Sequence, residues 1–132
     1  LRLRHQEASV NHLAGWLDGR PEVARVMHPA LPSDPGYDIW KRDFSGSAGL
    51  FSIVLNTTDD AKAVAFVDAL QLFGLGFSWA GHESLAVLPD FSDRTCSAPT
   101  DDGIVVRLQI GLENVEDLQA DIEQALSSAG MS

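Results

Sequence analysis

The sequence holds a single cysteine, Cys96, among its 132 residues. That excludes an internal disulfide, and a reducing compartment, the cytoplasm, fits such usage. Cys96 sits in a polar loop with no helix N-terminus or cationic cluster beside it to activate it, so it reads as incidental. Positive charge is scarce too: nine Lys and Arg stand against 19 Asp and Glu, a formal net charge of −10, with no basic cluster. Phosphate binding depends on such clusters, so a nucleic-acid partner is not expected, and the acidity reads as a solubility feature. No apolar run approaches the roughly 20 residues of a membrane span, and no signal-peptide pattern is present. The four histidines (His5, His12, His28, His82) show no metal-site spacing. The "SGSAG" segment at 45–49 lacks the lysine that would follow in a phosphate-cradling loop. Hairpin dipeptides such as Asn-Gly are missing, so strands should be joined through helices or irregular loops.

What is present is a core. Hydrophobic residues make up 45% and charged residues 21%, the balance of an ordinary globular chain of one-domain length. Val10, Leu13, Ala14 and Leu17 recur at i, i+3, i+4, i+7 and predict a helix over 4–18, ended by Gly19 and Pro21. The opening "LRLRHQEA" is already helical without an initiator Met or a cap, which suggests a cut end. "VARVM" (Val23–Met27) and "LFSIVL" (Leu50–Leu55) read as strands. Between them, Asp34-Pro35 reads as a helix entry for "GYDIWKRDF". Thr58 is the expected cap of a helix whose buried stripe is Ala63, Phe66, Val67 and Leu70. A strand follows at 85–88, then an irregular polar loop at 89–103. In "IVVRLQI" the residues Ile104, Val106, Leu108 and Ile110 alternate onto one face. Asn114 should cap a last helix carrying Val115, Leu118, Ile122, Ala125 and Leu126, with Gly130 as its stop. Three longer helices mixed with four or five short strands imply an α/β two-layer sandwich, a small mixed sheet with helices on one face.

Arg107 is the leading candidate for chemistry. It lies mid-strand on the face shared with Val105 and Gln109, opposite the aliphatic row. An arginine there must reach water or meet an acceptor, and its planar fork suits a carboxylate. A solvated arginine on the open face of an edge strand is the other reading, and spacing alone favours it. The stretch "GFSWAGHESL" at 76–85 adds Ser78, Ser84, Trp79, His82 and Glu83. A Ser/His/acid hydrolase would need a nucleophile elbow, which is missing, and sequence-adjacent residues make an awkward triad, so a turn packed under Trp79 is favoured. Lys41 beside Arg42, and Lys62 in a helical first turn, both read as solvated rather than catalytic.

Taken together, "HPALPSDPGYDIWKRDFSGSAGLFSIVL", "GFSWAGHESLAVL" and "VVRLQIGLENVEDLQADIEQAL" resemble, in order and over nearly the whole chain, one family. It is the pyridoxal-phosphate-dependent trans-sulfuration enzymes, and the segments are similar to the C-terminal small domain of the bacterial cystathionine β-lyase branch. The "WKRDF" and "SWAGHESL" segments favour that branch over the γ-synthase and γ-lyase branches.

The resemblance implies that residues 1–132 are that C-terminal domain, with the cofactor-binding domain and its Schiff-base lysine lying N-terminal to it. It implies that Arg107 binds the substrate α-carboxylate, with Ser78 and Trp79 at the same end of the site, while Ala80 and Gly81 let the backbone pass close to cofactor and substrate. It further implies pyridoxal 5'-phosphate as cofactor, cystathionine as a small amino-acid substrate, and a homo-oligomeric parent. Cystathionine would give homocysteine, pyruvate and ammonia, and the chain alone would be inactive. This chain departs from the pattern at Phe77, where a tyrosine hydroxyl is lost, at Ala80, where a glycine is usual, and at His82, an aromatic position. A stand-alone binding module is the alternative from a different class.

Overall fold

The apolar stripes become helices packed on a sheet. A computed structural model describes residues 1–95 and 103–131, ordered as α1 (Arg2–Leu17), β1 (Val23–Met27), α2 (Tyr37–Asp43), β2 (Leu50–Leu55), α3 (Asp60–Ala69), β3 (Gly74–Leu75), β4 (Leu85–Val87), β5 (Ile104–Gln109) and α4 (Val115–Ser128). Cys96 and much of the 89–103 loop lie outside the described residues. Every residue of the α1 stripe, Val10, Leu13, Ala14 and Leu17, is fully buried, as are Leu118, Ile122, Ala125 and Leu126 of α4.

The strands form one sheet in the order β1-β2-β5-β4-β3, with antiparallel pairs except for the parallel β3–β4 edge. The fold is thus the expected α/β sandwich with a mixed sheet. Phe51 pairs with Leu108 and Ile53 with Val106, and their side chains face α1, α3 and α4. β5 is central rather than an edge strand, which corrects the solvated-edge reading of Arg107.

Two caps differ from expectation. α2 starts at Tyr37 with Gly36 as its cap, because the Asp34 side chain accepts the Gly36 N–H at 2.7 Å and forms a turn one step earlier. α3 is capped by Asp59, whose Oδ1 accepts the Ala61 N–H at 3.0 Å, while Thr57 Oγ1 accepts the Asp59 N–H. Asn114 caps α4 as expected, accepting the Asp117 N–H at 3.0 Å. Beyond the end of α4 and its cap Ala129 comes Gly130, whose φ of +65° suits a glycine; Met131 N–H donates to Leu126 O and Gly130 N–H to Ser127 O. That pair of bonds is the Schellman pattern.

Candidate functional site

Antiparallel register places Met27, Ser52, Arg107 and Val87 in one row across the face turned away from the core helices. Part of this face is closed, since Val54, Val105 and Gln109 are buried. Arg107 stands in the middle of the row. Its Nη2 donates to Phe77 O at 2.5 Å and lies 3.4 Å from Ser78 O. The structure therefore brings together the two parts of the chain singled out in the sequence, through backbone carbonyls. The rings beside those carbonyls face solvent: Phe77 is 71% and Trp79 63% exposed.

Residues 76–84 join β3 to its parallel neighbour β4, so the chain must double back within nine positions and cannot be regular. Ala80 takes φ +60°, a left-handed conformation that disfavours any side chain. Alanine carries that cost here, where a glycine would not. Gly81 has a different status, because a Cβ there would meet nothing within 4 Å in this chain. Within the described residues close approach is required at Gly111, where a Cβ would run into His82 O and Glu113 Oε2.

The loop is pinned from three directions. Gln6 Nε2 of α1 donates to Gly81 O at 2.7 Å, and Leu112 N–H to His82 O at 2.9 Å. Glu113 accepts both the Ser84 N–H, at 2.7 Å, and the Ser84 O–H, at 2.8 Å. Ser84 Oγ in turn accepts the Gly111 N–H at 2.9 Å. Glu113, Gln6 and Gly111 escape sequence reasoning because their partners are 75 or about 30 residues away. One signal was available: Gln6 sits four residues before Val10, continuing the buried stripe of α1 with a polar side chain.

The hydroxyls do not form a hydrolase site. Ser84 is 0% exposed and committed to Glu113 and Gly111, whereas His82 lies 3.7 Å from Glu83 on the surface. Among the described residues no histidine bonds a serine, and no three His, Cys, Asp or Glu side chains converge as a metal site. Among the same residues, no helix is long and apolar enough to cross a membrane.

Among the described residues, neither lysine is placed to join Arg107 in holding pyridoxal phosphate. Lys62 is on the surface and donates to Gly130 O at 3.3 Å, and Lys41 lies over the Tyr37 ring, so neither accompanies Arg107.

The sequence model described as "Cys/Met metabolism PLP-dependent enzyme" matches residues 1–127. A Rhizobium johnstonii protein provisionally named a cystathionine beta-lyase is 54% identical over 98% of the chain and 34% of its own length. Cystathionine beta-lyase of Salmonella typhimurium is 46% identical over 92% of the chain and 32% of its length. The crystal structure of cystathionine gamma synthase from Xanthomonas oryzae pv. oryzae superposes with a TM-score of 0.84 at 33% identity, covering 98% of this chain and 35% of that one. The chain spans about a third of the length of these relatives. Its sheet, its helices and the order of its sequence segments are those of one group of proteins, and the chain belongs to the Cys/Met metabolism PLP-dependent enzyme family.

Proposed function

We propose that the chain is the C-terminal, substrate-carboxylate-binding domain of a cytoplasmic cystathionine β-lyase. The observation that carries this reading is the place of Arg107: a guanidinium on the central strand, outside the core, held by the carbonyls of Phe77 and Ser78. Nη2 is engaged with those carbonyls, which leaves the rest of the fork for an incoming α-carboxylate. In this reading Ser78 and Trp79, which follow the Phe77 carbonyl held by Arg107, belong to the same carboxylate end of the site. The names of the relatives support the β-lyase branch, in which cystathionine and water give homocysteine, pyruvate and ammonia. The lysine and phosphate-binding groups that handle the cofactor belong to an N-terminal domain of the same enzyme, and the chain alone is inactive.

The test uses the longer, cofactor-loaded polypeptide that carries this chain. Arg107→Ala is expected to raise KM for cystathionine on the order of 100-fold, the equivalent of one or two charge-assisted hydrogen bonds. An unchanged KM rejects the anchor. Products decide the branch: 2-oxobutyrate and cysteine in place of pyruvate and homocysteine would move the protein to a γ-cleaving branch.

A further inference from the structure

We propose that Glu113 is a positioning residue which, through Ser84, fixes the backbone of residues 77–82 and thereby aims the Arg107 guanidinium. The inference rests on the reading of Arg107 as a carboxylate anchor. Both carboxylate oxygens of Glu113 are spent on one residue, Oε1 on the Ser84 N–H and Oε2 on the Ser84 O–H. Two parallel bonds fix orientation as well as distance, which a single bond does not. The hydroxyl passes the constraint on by accepting the Gly111 N–H, and the next amide, Leu112 N–H, holds His82 O. Gln6 holds Gly81 O from the opposite side. The segment between these pins and Arg107 is short and contains the left-handed Ala80, so its carbonyls at Phe77 and Ser78 inherit the position set at Ser84.

A capping role does not account for Glu113. The α4 N-cap is Asn114, and Glu116 and Asp117 already place negative charge in the first turn. Glu113 stands just outside that turn and directs both oxygens at Ser84 instead. The strength of the clamp depends on the carboxylate. A glutamine retains one acceptor for the Ser84 N–H, but its NH2 group cannot accept the Ser84 hydroxyl proton.

The experiment compares Glu113→Ala, Glu113→Gln and Ser84→Ala with wild type in the longer, cofactor-loaded polypeptide. Steady-state kinetics with cystathionine are measured alongside hydrogen–deuterium exchange of peptides covering 77–85 and α3. Glu113→Ala is expected to raise KM about 10-fold with kcat changed much less, a loss in carboxylate affinity near one weakened hydrogen bond. Exchange in 77–85 should accelerate while α3 stays protected. Glu113→Gln should recover part of both effects, and the double variant with Ser84→Ala should be no worse than Glu113→Ala, because the two act as one unit. Faster exchange with wild-type KM, while Arg107→Ala still raises KM, overturns the positioning role and leaves the anchor standing. Wild-type KM in both Glu113→Ala and Arg107→Ala overturns the anchor, and the positioning role with it. If Glu113→Ala does not fold, Glu113→Gln and Ser84→Ala carry the same comparison. A parallel loss of protection in α3 in those two variants would make Glu113 merely structural.

Discussion

Ala80 shows how one residue can carry a conformational cost for the sake of a loop. Its φ of +60° costs an ordinary residue about 1–2 kcal/mol relative to a right-handed one. Glycine would remove that cost but add about 0.4–1 kcal/mol of unfolded-state entropy. Ala80→Gly is therefore expected to stabilise the chain by roughly 0.5–1 kcal/mol, read as a higher urea midpoint at constant m. A lower midpoint would mean that the methyl group contributes packing which outweighs its strain. At this scale the site was half legible. Arg107 stood out as a charge in the middle of a strand, whereas Ser78 and Trp79 were assigned to the candidate site by the family resemblance alone. Glu113 did not stand out, since a glutamate before a helix cap looks like dipole chemistry until Ser84 is seen beside it. The need for glycine at 111 was not legible either, because the crowding atoms, His82 O and the Glu83 carbonyl carbon, come from a distant segment.

Among the elements, α4 binds the helical layer together. Asp121 accepts the Gln71 and Leu72 N–H groups at 2.8–3.0 Å, and Gln124 donates to Ala69 O at 2.6 Å, so α4 satisfies the end of α3. From the same turn of α4, Glu123 pairs at 3.1 Å with Arg20, just beyond α1, which also pairs with Glu22 at 2.7 Å. The bond from Arg20 holds the Glu22 carboxyl below the usual carboxylate range. Because other contacts lean on α4, fraying its first turn should be felt in global stability. Asn114→Ala is expected to cost about 1 kcal/mol, while Asn114→Asp should leave stability nearly unchanged. Equal urea midpoints for wild type and Asn114→Ala would show that the cap bond contributes nothing. Most elements were readable because local rules determine them: the stripes of α1, α3 and α4, and the alternation in β5. β3 was not, since Gly74–Leu75 contains no alternation and is a strand only by pairing with Leu85 and Ala86. The caps at Gly36 and Asp59 were misread by one or two residues because neighbouring polar side chains compete for the same amides.

For the whole molecule, the distribution of exposed apolar surface tests the proposed place of the chain. Phe77, Trp79 and Leu75 are exposed near Arg107. Leu3, Ile39 and Phe44 are exposed around a groove of about 830 Å³ that also reaches Trp40 and Leu50. Surfaces of this kind are unusual on a free-standing monomer, and contacts between domains of one chain bury about 600–1,500 Å². The 132-residue chain alone is expected to self-associate at tens of micromolar, seen as concentration-dependent sedimentation. A monomer across that range would favour the stand-alone binding module instead.

The central position of β5 has a further consequence, in the order of synthesis. The strand that joins β2 to β4 is the last of these five strands to leave the ribosome, and it also carries Arg107. Before Ile104 emerges, the nascent chain can pair only β1 with β2 and β3 with β4, two separate ribbons too small to persist in water. Both ribbons then present open edges, the state in which growing chains are most exposed to mispairing. Gln6, made well before Ile104, must wait for this step before the loop it holds has a sheet to rest on. The sheet and the candidate site are thus completed together, by the same late strand.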